Sequence, residues 1–235
     1  IGEGANVKIR IFETDPNAAP KKRVSFPDDV VGRVRSGKAI DGRPVGLSTW
    51  RITTGDPDVA NAVADAFGGE VAEWETSKED NLEVITKTDT LPVIISSPEV
   101  ISARLVLWGM GGVKIHECDG VTFLDEERYG QPCGCPELLA ERKAAARRGH
   151  GPKPDVQIRF KLANDPELGE FRFHSASWDF LTYLHIYQSE LEEVGGPARC
   201  DLVLEKVSFV PKGGEMAGHT VSYRRPVLRV LGAAS

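Results

Sequence analysis

Residues 30–54 read VVGRVRSGKAIDGRPVGLSTWRITT, and this stretch decides the class of fold. Short apolar runs lie on either side of Asp41-Gly42-Arg43-Pro44, the pattern of two strands joined around a glycine turn. Directly after it, Asp56-Pro57 supplies an N-cap and a first-turn proline. Val59, Ala62, Val63, Ala66 and Phe67 then recur at helical spacing until Gly68-Gly69 ends them. A hairpin followed by a helix begins an α+β chain.

Working outward toward the C-terminus, residues 71–74, 82–86 and 91–95 read as three strands, with Asp80-Asn81 and Thr88-Asp89 as turn material. Residues 100–108 fit either a helix or a strand. Strand is favoured by a two-residue period that puts Leu105 and Leu107 on one face, Val106 and Trp108 on the other. Pro136 opens a second helix through Arg148, ended by Gly149-His150-Gly151-Pro152, with Leu138, Leu139 and Ala145 available to pack. Its far face carries Glu141, Arg142, Lys143, Arg147 and Arg148. Positive charge near a helix C-terminus favours the macrodipole, so this cluster reads as a solvated helix end before it reads as a phosphate contact.

Strands at 156–162 and 171–174 follow, and Ser177 caps a third helix reaching about residue 194, with Trp178, Leu181, Leu184 and Tyr187 as its buried stripe. A closing pair of strands, 198–210 and 221–231, flanks Gly213-Gly214. In the other direction, residues 1–29 are rich in Pro, Lys and Asp and show no sustained apolar period. They are expected to form a flexible arm, with Ile9, Ile11 and Phe12 as possible anchors. There is no internal repeat and no long linker. Residues 30–235 are therefore expected to form a single α+β body: mainly antiparallel sheets, about three helices, and a small zinc-knuckle-like insertion within a metal-binding segment at 113–150.

With 40% hydrophobic and 27% charged residues among 235, the composition is that of an ordinary globular chain. A formal charge of −6 gives the whole molecule no positive field to hold it on a phosphate backbone. No apolar run approaches the roughly 20 residues that span a bilayer. Ile1 to Arg10 lacks the charged-then-apolar layout of a signal, and the expectation is a cytoplasmic protein without a membrane partner.

The chemistry concentrates in Ile115-His116-Glu117-Cys118-Asp119-Gly120 and Gln131-Pro132-Cys133-Gly134-Cys135-Pro136. A His-x-Cys pair and a Cys-x-Cys pair stand fourteen residues apart. Soft thiolates with an imidazole match the tetrahedral preference of Zn²⁺, and two short-spaced pairs joined by a loop are how small zinc knuckles are assembled. Gly120 and Gly134 permit the tight turns that such close ligands require. The candidate ligands are His116, Cys118, Cys133 and Cys135. On a strand, Glu117 would point away while His116 and Cys118 face one ion, but His150 competes for the fourth position. Three reduced thiols packed without metal is the plainer alternative. Three ligands plus water would be an open, hydrolytic site; no His-Glu-x-x-His motif accompanies it, so a closed structural site is preferred. Cys200, alone in an apolar segment, is expected to be a core thiol.

Enzymatic signatures are missing: there is no Gly-x-Ser-x-Gly elbow, no phosphate-cradling lysine loop and no dinucleotide fingerprint. Gly109-Met110-Gly111-Gly112 reads as a turn, and His174 and His185 read as partly buried structural residues.

Ile40-Asp41-Gly42-Arg43-Pro44, Trp50-Arg51-Ile52-Thr53, Ala64-Asp65-Ala66-Phe67-Gly68-Gly69-Glu70-Val71 with Trp74, Cys118-Asp119-Gly120 and Pro132-Cys133-Gly134-Cys135 occur in an order and spacing that resemble the recombination directionality factors of actinobacterial phages. The similarity runs from about residue 30 to about residue 230. It implies a non-enzymatic protein of the host bacterial cytoplasm that binds a phage large serine integrase at its coiled-coil region, on attachment-site DNA. Recombination between hybrid attachment sites (prophage excision) would be activated and integration inhibited, with little direct sequence-specific DNA binding. Cys118, Cys133 and Cys135 match the family's cysteines. Relatives often carry another cysteine four residues before the first, where this chain has Lys114, so His116 enters as a substitute. The competing reading is a zinc-containing DNA-binding or replication-accessory protein, with Arg142, Lys143, Arg147 and Arg148 facing phosphates.

Overall fold

The computed structural model describes residues 30–234 apart from Ser77 and Glu215, so the expected arm at 1–29 lies outside the described residues. Strands β1 (Gly32–Ile40) and β2 (Arg43–Thr54) form the expected hairpin. Ile40 pairs with Arg43, and the two residues between them, Asp41 and Gly42, both have positive φ, 49° and 72°. A two-residue turn of that kind matches the right-handed twist of the strands it joins, which is why Asp-Gly serves here. Helix α1 (Pro57–Phe67) begins where expected, with the Asp56 carboxylate accepting from the Asp58 amide at 2.9 Å.

The remaining elements are β3 (Val71–Glu73), β4 (Leu82–Ile85), β5 (Thr90–Ile95), β6 (Ile101–Trp108), β7 (Lys114–Cys118), α2 (Leu139–Arg147), β8 (Lys153–Leu162), β9 (Glu170–Ser175), α3 (Trp178–Val194), β10 (Ala198–Phe209) and β11 (Val221–Ala233). Eleven strands make one sheet in the order β11-β10-β5-β8-β9-β1-β2-β4-β3, with β6 joined to β8 and β7 to β6. Among the described residues every pairing is antiparallel except β1 with β9. The class is α+β with three α-helices among the described residues, as expected.

Strand β8 is where the sheet divides. Its last residues, Lys161 and Leu162, pair with β5, its first part pairs with β6, and its opposite edge carries β9. The sheet curls enough to bring β10 and β11 against β2. At that seam the Asp89 carbonyl accepts from Trp50 Nε1 at 2.9 Å and from the Leu204 amide at 2.8 Å, while Arg224 reaches its carboxylate at 3.1 Å.

Inside the curl, Phe173 stands edge-on between Trp50 (centroids 5.5 Å apart) and Phe180 (5.6 Å), all three fully buried. Outside it, β1 and its neighbours carry charge. Asp80, expected as turn material, is wholly buried there, accepting from Thr53 Oγ1 at 2.6 Å and Arg35 Nη2 at 2.9 Å, with Arg33 at 3.4 Å. Burial pushes its carboxyl up, but those hydrogen bonds and guanidinium charges outweigh burial and hold it below the usual range.

Three local expectations are corrected. Helix α2 starts at Leu139 rather than Pro136, and Leu138 and Leu139 are exposed while Ala146 is buried. The chain leaves the Cys135 cluster in extended conformation and turns helical only afterwards, so the leucines fall on the outer side. On α3 the buried stripe is Phe180, Leu184, Tyr187 and Leu191; Trp178 packs toward the cysteines, and Leu181 touches both the cysteines and the main core. His174 and His185 are exposed, because β9 turns His174 to the outer face and α3 turns His185 to solvent.

Candidate metal centre

Strand β7 makes half of the site. Its two-residue period puts His116 and Cys118 on one side, while Glu117 points to the other. There the Glu117 carboxylate takes Arg104 Nη1 at 2.6 Å and also the Lys114 ammonium. Lys114 is thereby committed to an ion pair.

Beyond Cys118 the chain turns back on itself. The Asp119 carboxylate accepts from the Val121 and Thr122 amides, both at 2.7 Å, and those bonds hold its pKa below the usual range. The Phe123 amide bonds the Gln131 carbonyl at 2.9 Å and the Cys133 amide bonds the Val121 carbonyl at 2.9 Å, so Cys133 and Cys135 return to the level of Cys118. Gly120 and Gly134 have φ of 102° and 69°, in the region that favours glycine, so both tight turns fall where the sequence placed them. Arg142 of α2 donates to the Gly120 carbonyl at 2.7 Å and fastens the loop from above.

The four candidate donors converge: one ligand atom from each of His116, Cys118, Cys133 and Cys135 lies within 4.8 Å of all the others. Cys118 Sγ and Cys135 Sγ are 3.9 Å apart, and Cys135 Sγ is 3.5 Å from His116 Nε2. Zinc bonds of about 2.3 Å to sulfur and about 2.0 Å to nitrogen give tetrahedral edges of about 3.8 Å and about 3.5 Å. The set is compatible with a metal site. His150, the competing fourth ligand, is exposed and is not part of the cluster.

Burial pushes the Cys118 thiol up to about 12, with the neighbouring Cys135 and Cys133 adding to the shift; burial also raises Cys135. Burial first, and then the charge of Arg128, lower the His116 imidazole. Around the donors, Leu105 of β6, Cys118 and Cys133 are buried together, flanked by Phe123, Trp178 and Leu181. Phe123 packs on His116 (centroids 4.7 Å) and under the Arg128 guanidinium (3.9 Å), and Arg128 also bonds the Ile115 carbonyl at 3.1 Å.

Arg128, Trp178 and Leu181 were not singled out as supports of the site. A cation in the intervening loop was the available signal for Arg128; the helix face of Trp178 was not legible, because it depends on where α3 crosses the sheet. In the basic strip of α2, Arg142 is turned into the knuckle and Lys143 is half-buried, leaving Arg147 and Arg148 exposed. Cys200 is buried in the main core, its thiol pushed up to about 12 by burial.

No helix of the described residues is long and apolar enough to cross a membrane. No solved structure matches the chain. A family model described as Gp3-like, recombination directionality factor-like, matches residues 31–226, which takes in β1 to β10, the cysteine knuckle and part of β11. The chain therefore belongs to the Gp3-like family of recombination directionality factor-like proteins, a regulatory family with a role in DNA recombination.

Proposed function

We propose that the protein is a recombination directionality factor that binds a phage large serine integrase on attachment-site DNA, activates excision between hybrid sites and inhibits integration. The family match over residues 31–226 carries this reading. The partner surface is the integrase's coiled-coil region, contact with DNA sequence is slight, and the site of action is the cytoplasm of the host bacterial cell. The integrase breaks and rejoins DNA; this chain, which is not an enzyme in this reading, contributes binding energy. A factor that binds one posture of the integrase better than another changes which synaptic complexes are populated. Moving such an equilibrium from 1:99 to 99:1 takes about 5.5 kcal/mol of differential affinity.

Zinc has a structural part in this reading, with residues 30–235 acting as one body and the knuckle as its insertion. Four protein donors, all within 4.8 Å of one another, would fill a tetrahedral shell and leave no position for water, which favours a closed site over a hydrolytic one. Bound zinc would hold the three cysteines as thiolates and offset two of their three negative charges. The chain's own residues then place the knuckle: Arg142 fastens Gly120, Arg104 and Lys114 hold Glu117 on the far side of β7, and Trp178 and Leu181 join it to α3.

The test is recombination in vitro with the cognate integrase. Added in stoichiometric excess, the chain should yield excision product from hybrid sites and suppress product from the integration pair. An unchanged ratio of the two products would refute the reading.

A further inference from the structure

The outer face of the sheet bears a cleft that the recombination reading does not use. Strands β1 and β9 are its floor, the one parallel pairing among the described residues. Arg33 stands opposite Arg172 in that pairing, and the two-residue period adds Arg35 and His174 on the same face. A register shift between Arg35 and Gly37 leaves Ser36 outside the β1–β2 ladder, and Ser36 lines the cleft as well. Lys78 closes it from the β3–β4 loop, enclosing about 330 Å³.

Its chemistry is one-sided. Among the described lining residues are four permanent cations and no carboxylate, in a chain whose formal charge is −6. Asp80 lies beneath, bonded to Arg33 and Arg35, and Asp155 holds His174 at 3.1 Å from the side. These acids fix the direction of the basic groups, as the carboxylates behind an anion site do. Arg172 reaches neutral Gln157 at 3.4 Å. The described lining has no Phe, Tyr or Trp, and Val34 turns its side chain into the main core, so beyond the His174 imidazole a base or an apolar ligand would find little to stack on. A doubly ionised or bridging phosphate needs only the clustered, forked donors that are present.

We propose that the cleft walled by Arg33, Arg35, Ser36, Lys78, Arg172 and His174 binds a phosphate group, supplied by the backbone of a nucleic acid. Recognition through phosphate alone is independent of sequence and sensitive to salt. It would hold the protein beside DNA without reading it.

The test uses the full chain with a fluorescently labelled 20-base-pair duplex of arbitrary sequence, followed by anisotropy at about 50 mM salt and upward. Inorganic pyrophosphate and a polyglutamate peptide serve as further probes by calorimetry. Arg172→Gln with Lys78→Gln removes two cations without touching the partners of buried Asp80; Arg147→Gln with Arg148→Gln on α2 is the control. The expected result is duplex binding that is weakened about tenfold or more by the first pair, with a salt slope lower by about 1 to 2, and unchanged by the control pair. Melting temperatures of all three proteins separate a loss of fold from a loss of binding. Absence of duplex binding, equal binding by the cleft variant, or equal binding of polyglutamate would each overturn the proposal. Pyrophosphate binding without duplex binding would overturn the backbone as its source. Integrase is absent from every arm, so the outcome is separate from that of the recombination reading.

Discussion

Removing the metal should open the knuckle and leave the sheet intact. The contrast lies in what holds each part. The main core gathers side chains from β1, β2, β4, β5, β6, β8, β9, β10 and β11 with α1 and α3, and none of the four donors is in it. The knuckle's own buried set is Leu105, Cys118 and Cys133. A fully buried leucine contributes about 1.5–3 kcal/mol and a thiol less, whereas zinc in small finger peptides contributes about 10–16 kcal/mol of apparent folding free energy. If even about 4 kcal/mol of that supports the knuckle, its loss raises the open fraction about 1,000-fold. Hydrogen exchange read by mass spectrometry, with and without a chelator, measures this directly. Amides such as Phe123, Gly130 and Cys133, which close the loop on itself, should lose protection, and those of β5, β8, β9 and β10 should keep theirs. Metal analysis should give one zinc per chain before chelation, and Cys135→Ser should reproduce the chelated pattern. Identical exchange with and without chelator, or a chain purified from zinc-supplemented cells that carries no metal, would refute the reasoning.

Three other outcomes follow from the same structure. Asp80→Asn should cost about 3–5 kcal/mol in urea unfolding at pH 7, because it leaves Arg33 and Arg35 beside a neutral group in a buried pair. The folded carboxyl titrates below its unfolded value, so its contribution is full above about pH 4 and is lost as pH falls through the folded value; the gap between wild type and variant should narrow in acid, and a gap independent of pH would contradict this. Phe173→Ala should cost about 3–5 kcal/mol in the same assay, since it empties the space between Trp50 and Phe180. Cys200, buried and with its thiol pushed up to about 12, should resist iodoacetamide at pH 8 until the protein is unfolded, and labelling of the native chain would count against its place in the core.

Local chemistry was legible in the sequence, and long-range pairing was not. Asp41-Gly42 marked the hairpin and Asp56-Pro57 the helix start because a turn and a cap depend on a few adjacent residues. The four donors were legible for the same reason, since the strand period alone puts His116 and Cys118 on one side. Asp80 read as a turn residue, yet it is buried under two arginines that lie 45 and 47 positions away. The parallel contact of β1 with β9 joins residues far apart in the chain, and nothing near either strand announces it. The cleft depends on that contact. Arg33-x-Arg35 and Arg172-x-His174 each showed a charged outer face; that the two faces adjoin is a property of the sheet order alone. Leu138 and Leu139 misled because an apolar pair beside a helix is assumed to point inward, whereas here the tethered Cys135 sets the phase of α2.

The position of Glu117 explains how a strand on a sheet margin can present metal ligands at all. A slip of one residue in β7 would carry His116 and Cys118 to the opposite face and bring a carboxylate between Cys133 and Cys135. The ladder with β6 opposes such a slip only weakly, for it has a register shift of its own between Leu107 and Trp108. Charge opposes it more strongly. Glu117 bonds Arg104, Arg104 reaches Asp155 at 3.2 Å, and Asp155 holds His174 at 3.1 Å, a succession that crosses β7, β6, β8 and β9. Burial alone would raise the Asp155 carboxyl, yet the hydrogen bonds and charges of its partners hold it well below the usual range, so it stays ionised as the fixed middle of that succession. Slipping β7 would leave Arg104 with Asp155 alone and unpair the largely buried Glu117 carboxylate, a cost that grows as the local environment becomes drier. The same succession ends on a residue of the basic cleft, so the register that aims the thiols and the orientation of His174 are set by one row of charges across four strands.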